Sequence, residues 1–440
     1  MMFKRLFCLL LACIVLLAGC AKQSEKFEHK PAFETASASV FLIELTSGDI
    51  IYDKAPDDRA TPYALTQMLT ALLAIEESED LSAGVASSIK LENGEQGETS
   101  YTMEQLLRYS ILSSNTQAAQ LIAFTVGGGD QNSFISRINE RARGLGTNST
   151  NFSDASGDDT SNNYTTARDI AMVASKVYQN NIYMSIAGET TYTLPSSETH
   201  DEDTIQNVNG VENTSNEQTY IEGARGIKYS VGPDGTSNLI CVMEQNGMKL
   251  LLVLLGAPAQ GDQTAFADAR GLFEWALSTC KLVKAPKAGE PVTEVAVKEG
   301  FMQTSAPVSL AKKLDSIVPK SAVSEDVYVL CRVPAQIATT VHKGDVVGIA
   351  DILYENELLL SVNLMADKAV TEKGSAPTWV TVLLTILGIV AGLFVLLVVI
   401  RQINMMRYRK KKLRMLDEKR RRMRGELENA QGSPRPPMKR

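Results

Sequence analysis

The residue types that most often carry enzyme chemistry are scarce or scattered in this 440-residue chain. His29, His200 and His342 are its only histidines, and none lies near another. A Ser-His-Asp triad or a His-based zinc site therefore has little to build from. Of six cysteines, Cys8, Cys13 and Cys20 fall in the apolar N-terminal region. Cys241, Cys280 and Cys331 are odd in number and widely spaced, which is neither a disulfide framework nor a C-x-x-C metal site. Three buried thiols are expected. No G-x-x-x-x-G-K-[ST] phosphate loop occurs, and Gly127-Gly128-Gly129 reads as a helix terminator. Neither a metal nor a cofactor is implied.

Charge then divides the chain. The formal net charge is -7, but residues 401–440 hold 15 Lys/Arg against 4 Asp/Glu, and residues 21–378 hold a net -20. An acidic body joined to a basic tail through an uncharged segment is a membrane arrangement. Lys4 and Arg5 precede an apolar run from Leu6 to Gly19, the pattern of a secretory signal. That run closes on Leu17-Ala18-Gly19-Cys20, which resembles the bacterial lipobox and implies a lipidated Cys20. Trp379 to Ile400 is 22 residues without a charge, long enough as a helix to cross a hydrocarbon layer of ~30 Å. The basic residues that follow place the tail in the cytoplasm and residues 21–378 outside, at a bacterial cell membrane. Topology accounts for the tail's charge. A cytoplasmic protein or anionic lipid is a further partner for 401–440, and nucleic acid is not expected.

The elements that would position a site lie between these anchors. Val40 to Tyr52 alternates as a hairpin turning at Ser47-Gly48-Asp49. From about Ala64 a helix carries Leu65, Met68, Leu69, Leu72, Leu73 and Ile75 on one stripe. Helical patterns continue over 103–125, 131–144 and 166–179. Strands at 238–243 and 249–255 join through Asn246-Gly247, and a last helix spans about 263–281. Short alternating runs between 290 and 368 predict a small all-β domain. The expected organisation is a signal peptide at 1–20 and a tether at 21–36, then a mixed α/β domain at 37–284. The β domain at 288–368, a linker at 369–378, the membrane helix at 379–400 and the tail at 401–440 complete it.

Several segments, in unbroken order over roughly 40–368, carry a family resemblance. Phe41-Leu42-Ile43-Glu44, Ser47 through Tyr52, and Thr70 through Glu76 are followed by Leu106-Leu107, Ser113-Ser114-Asn115 and Asn139-Glu140-Arg141-Ala142. Leu145-Gly146, Tyr164 through Asp169, Gly226-Ile227-Lys228 and Leu254 through Pro258 complete the set. Together they resemble the serine D-alanyl-D-alanine carboxypeptidases, the low-molecular-mass penicillin-binding proteins of bacterial walls. The resemblance implies a penicillin-binding, β-lactamase-like transpeptidase fold of antiparallel sheet and helices. It also implies a site made of a serine that attacks the D-Ala-D-Ala carbonyl and a lysine at i+3 that eases removal of its proton. A Ser-x-Asn wall and a Lys-Thr-Gly strand for the terminal carboxylate complete that site.

The family window Pro-x-Ser-x-Thr-Lys-x-x-Thr aligns without a gap on Pro62 to Thr70, and this alignment puts Ala64 at the nucleophile position and Gln67 at the base position. Alanine has no oxygen to acylate, and glutamine is no base near neutral pH. Ser113 and Asn115 match Ser-x-Asn. Lys228 matches the third motif, but Tyr229 and Ser230 replace its Thr and Gly. Ser87-x-x-Lys90, Ser278-x-x-Lys281 and Ser309-x-x-Lys312 are read as chance matches, and Thr61, Tyr63 and Thr66 lack a lysine at i+3.

These residues point to a catalytically inactive, wall-facing binding or scaffold protein whose ligand is a peptidoglycan stem peptide. Two alternatives stand beside it: an active carboxypeptidase with a non-standard site, and a transmembrane adaptor with a vestigial cleft.

Overall fold

The computed structural model describes residues 30–261, 264–284, 289–298, 304–312, 315–323, 326–337, 340–370 and 378–431. The expected signal peptide, the lipobox with Cys20, most of the tether and the end of the tail lie outside the described residues.

The chain opens on a hairpin of β1 (Ser39–Glu44) and β2 (Ile50–Lys54), with Val40 opposite Lys54 and Gly48 at positive φ in the turn. A single 3-10 turn at Tyr63–Leu65 leads into α1 (Thr66–Glu77). A two-stranded ribbon, β3 (Gly84–Ile89) and β4 (Gln96–Thr102), precedes α2 (Met103–Ser113), α3 (Thr116–Val126) and α4 (Gln131–Gly144). After a long loop come α5 (Ala167–Tyr178), α6 (Asn181–Ala187) and a second ribbon of β5 (Thr191–Leu194) and β6 (Asp203–Gln206). Then β7 (Ala224–Val231), β8 (Thr236–Gln245) and β9 (Met248–Pro258) complete an antiparallel sheet of order β2-β1-β9-β8-β7, with β7 at one edge. Asn246 and Gly247 both take positive φ in the β8–β9 turn, as a two-residue hairpin of matching twist requires.

The run Leu250 to Leu255 shows why this sheet is central. Leu251, Val253 and Leu255 enter one core with Met68, Leu72, Leu106 and Ile170, while Leu250, Leu252 and Leu254 enter a second core with Phe266, Leu272 and Phe273. Period-two alternation sends successive leucines to opposite faces, so the strand is apolar throughout because helices cover both sides. The second cover is α7 (Ala265–Thr279).

Four expectations change. The 103–125 helix is two helices, because Ser114 turns to φ 59 and ends α2. The last helix stops at Thr279, and Cys280 and Lys281 start strand β10 (Cys280–Val283). Residues 66–74 of α1 are buried all round, Thr66, Gln67 and Thr70 included, so no face of that stretch meets water. Of the three thiols, Cys241 and Cys280 are buried but Cys331 is partly exposed.

The remaining strands are β11 (Pro291–Ala296), β12 (Ser305–Leu310), β13 (Ser316–Pro319), β14 (Val327–Arg332), β15 (Val346–Tyr354) and β16 (Glu357–Ala366). By contact the chain forms two units. The first comprises 1–293, 308–333 and 346–365, the second 294–307, 334–345 and 366–440. Within the first, β10 pairs with β13, and β14, β15 and β16 form an antiparallel meander. Asp49 ties β13 to the β1–β2 turn by accepting hydrogen bonds from Ser316 Oγ (2.9 Å) and the Ile317 N–H (2.7 Å). The second unit contains bridges between Val297 and Ile337 and between Val341 and Val370, together with α8 (Thr378–Gln431). A segment of α8 from Trp379 is apolar enough to cross a membrane, with a mean hydropathy of 3.1.

Candidate active site

The site begins with a strained residue. Tyr63, just before Ala64, adopts φ 48, a left-handed conformation that costs a non-glycine residue on the order of 1 kcal/mol. Two glycines hold it there. A Cβ on Gly157 would lie 1.9 Å from the Tyr63 carbonyl oxygen, and one on Gly232 would lie 2.3 Å from its ring. Burial raises the phenol's pKa, and the hydrogen bond to Asp234 adds to the rise. Tyr63 and Ala64 thereby form part of the wall of a cleft of about 540 Å³, opposite Ser113, Ser114, Tyr229 and Ser230.

One helical turn beyond Ala64, Gln67 is 1% exposed and fully engaged. Its Nε2 donates to the carbonyls of Ser114 (3.2 Å) and Ser156 (3.0 Å). Its Oε1 accepts from Ser110 Oγ (3.2 Å) and Lys228 Nζ (3.4 Å). Two donors and two lone pairs are all a carboxamide has, so every one is used internally. Thr70, one turn further, donates to the Ala155 carbonyl at 2.7 Å. The polar face of α1 is thus a seam that fixes the 154–157 loop and the α2–α3 junction.

Lys228 projects from β7 into this seam. Its Nζ donates to the carbonyls of Ser110 (2.6 Å) and Ile111 (3.1 Å) as well as to Gln67. Those carbonyls belong to the last turn of α2, where unpaired acceptors and the negative end of the helix dipole favour a cation. Burial works against the charge and lowers the pKa to about 7. Lys228 is absent from the cleft lining, so it lies beneath the cleft rather than in it. Tyr229 borders the cleft and packs its ring on Phe266, with centroids 4.9 Å apart. Ser230 is buried at the rim, its Oγ 3.5 Å from the Pro62 carbonyl.

Ser113 lines the cleft, but its Oγ donates back to the Tyr109 carbonyl at 2.8 Å. The Asn115 side chain accepts from the Ala118 N–H at 2.9 Å, which makes it the N-cap of α3. Asn115 is not among the lining residues. Of the residues the sequence singles out for the site, the structure brings Ala64, Ser113, Tyr229 and Ser230 to one cleft, and joins Gln67 and Lys228, expected at the base and substrate-binding positions, outside its lining. Sequence reasoning misses Ser114, Thr116 and the loop residues Ser156, Gly157, Asp158 and Thr160. The signal was the density of Ser, Asp, Asn and Gly from Ser153 to Asn163, a composition that builds side-chain-to-backbone turns. Asp154 organises that loop. Burial raises its pKa, but the N–H groups of Asp159, Gly157 and Ser156 outweigh it and hold the carboxyl low. The three Ser-x-x-Lys strings contribute nothing to the cleft lining.

A family profile described as D-alanyl-D-alanine carboxypeptidase matches residues 24–259, more than half of the chain. The chain belongs to the D-alanyl-D-alanine carboxypeptidase family. Among its relatives is the D-alanyl-D-alanine carboxypeptidase DacF of Bacillus subtilis, 26% identical over 404 residues, spanning 84% of this chain and 96% of that one. A D-alanyl-D-alanine endopeptidase of Escherichia coli is 27% identical over 279 residues, 58% of this chain and 81% of its own. The fold is that of penicillin binding protein 5 from Haemophilus influenzae, with a TM-score of 0.68 at 21% identity over 78% of this chain and 100% of that one. The DacD carboxypeptidase of Francisella tularensis aligns with a TM-score of 0.61 at 20% identity, over 80% of this chain and 97% of its own. This carboxypeptidase family member thus keeps the mixed α/β fold of penicillin-binding proteins, and carries one apolar helix able to span a membrane near its C-terminus.

Proposed function

We propose that this protein is a membrane-anchored carboxypeptidase homologue that holds a peptidoglycan stem peptide without hydrolysing it. Ala64 carries the reading. It stands in the cleft wall at the position the family window reserves for serine, and Gln67, at the position of the base, has no lone pair left to take a proton. An acyl-enzyme needs an oxygen or sulfur nucleophile and a group that removes its proton, and the Ala64–Gln67 pair supplies neither. The edge strand β7 beside the cleft favours an extended peptide as ligand, since an unpaired strand edge offers backbone hydrogen bonds to an added strand. Residues 379–400 are the membrane span, with residues 401–440 cytoplasmic and the folded body outside. Cys20 is the lipid site, and the basic tail is a docking element for a cytoplasmic protein or anionic lipid.

The test is labelled penicillin added to the full-length protein in native membranes or mild detergent. No covalent adduct should survive denaturation. A stable adduct that maps to any serine would sink the proposal in favour of an active enzyme with a relocated nucleophile.

A further inference from the structure

The hydrogen-bonding polarity of the cleft's side chains runs opposite to what a terminal carboxylate requires. No Lys, Arg or His is among the described residues that line it, and the one carboxylate among them is the exposed Asp158. Lys228, the cation nearest by sequence motif, spends its three N–H donors on three internal acceptors and has none to offer a ligand. Four of the lining hydroxyls have also committed their protons. Ser114 Oγ donates to the Tyr229 carbonyl at 3.3 Å, Thr116 Oγ1 to Asp158 at 3.0 Å and Ser156 Oγ to Asp154 at 3.0 Å. Ser113 Oγ does the same to the Tyr109 carbonyl. A hydroxyl has one proton, so each of these oxygens has only lone pairs left for a ligand.

We infer that this cleft selects a ligand terminus that donates N–H, a carboxamide or an ammonium, over the carboxylate of an unmodified D-Ala-D-Ala end. The inference rests on the proposed peptide-binding role and names the form of peptide that the cleft takes. A carboxylate has acceptors only, so it would meet four lone-pair-bearing oxygens and the Asp158 charge with no side-chain cation to offset them. A carboxamide of the same shape supplies two N–H donors to those oxygens. An ammonium supplies three and gains the attraction of Asp158.

Calorimetric titration of the full-length protein in detergent with three probes separates the outcomes. The probes are diacetyl-L-Lys-D-Ala-D-Ala with a free carboxylate, the same peptide as the carboxamide, and the same peptide extended as an aminoethyl amide. The carboxamide is expected to bind at least about tenfold more tightly than the carboxylate. Asp158→Asn should shrink the lead of the ammonium probe over the carboxylate, while leaving the carboxamide the tighter of the two uncharged-versus-charged pair. Equal or tighter binding of the carboxylate overturns the inference and leaves the peptide-binding role standing. Absence of saturable heat with all three overturns both.

Discussion

Lys228 concentrates the tension of this site in one side chain. Three oxygen acceptors match the three donors of an ammonium, whereas full burial favours the neutral amine and brings the pKa to about 7. An unfolded lysine titrates near ~10.4. Between those two values the unfolded chain holds a proton that the folded chain lacks, so stability rises with pH across that window and the contribution is flat below it. Thermal unfolding of the wild type and Lys228→Met, run in parallel from about pH 6 to about pH 9.5, should show the wild type gaining on the variant as pH rises. A constant difference would mean that the α2 carbonyls keep Lys228 charged. Gln67→Ala should cost about 2–4 kcal/mol, because it strips the donors from the Ser114 and Ser156 carbonyls and a partner from Lys228. Restoring the family residues is expected to restore little. In Ala64→Ser with Gln67→Lys, a second ammonium would sit within a few ångström of Lys228 in a buried seam, and Tyr229 and Ser230 would remain. Robust D-Ala release by that double variant, measured as free D-alanine, would show that the altered third motif is tolerated.

At the level of elements, the turn before α1 depends on close backbone approach at Gly157. A methyl group there would collide with the Tyr63 carbonyl at 1.9 Å, at a residue whose own φ is 88, whereas Gly235 has φ 77 and open space around it. Gly157→Ala should therefore destabilise the fold by about 2–4 kcal/mol and Gly235→Ala by about 1 kcal/mol. Equal losses in thermal or denaturant unfolding would mean that the contact with Tyr63 is not tight. This contrast also marks what the sequence makes legible. The leucines of β9 and the Asn246-Gly247 turn announce a sheet, since alternation and a two-residue turn act over a few neighbouring residues. The family window likewise locates Ala64 and Gln67 because its register is local. Asn115 looks like a ligand residue by the same motif, yet its side chain caps α3, and only the three-dimensional position of the Ala118 N–H decides between the two. The 103–125 helix fails to break at Ser114 in a periodicity reading because neither Ser113 nor Ser114 interrupts an apolar stripe. The break depends on one left-handed residue, and its benefit comes from Tyr229, 115 positions away in the chain. Lys228 is invisible as a helix cap for the same reason.

For the whole molecule, the charge division bears on how the proposed topology is set. Between residues 393 and 424 α8 contains neither glycine nor proline, so the helix passes from the apolar span into its basic extension without a breaker. Arg401, Arg407, Arg409 and Lys410 to Lys412 fall within the first dozen residues past the span, at ~18 Å or less along the helix. Lys419 to Arg422 and Arg424 lie ~28–36 Å along it, several times the ~8 Å Debye length at physiological salt. Charges close to a span weigh most in its orientation, and the weight fades beyond roughly 15–20 residues. The inner cluster is therefore expected to set topology, which leaves the outer cluster for a partner at the far end of the helix. Replacing Arg407, Arg409 and Lys410 to Lys412 with glutamine should expose the tail on the outside in a measurable fraction of molecules. Replacing Lys419 to Arg422 and Arg424 should leave it inside. A cysteine introduced at Gln431 in a Cys331→Ser background, probed in intact cells with a membrane-impermeant thiol reagent, reads both outcomes. Inversion by the outer set alone would show that the distal cations set the topology, and inversion by neither set would show that the juxtamembrane cations do not decide which side the -20 body occupies.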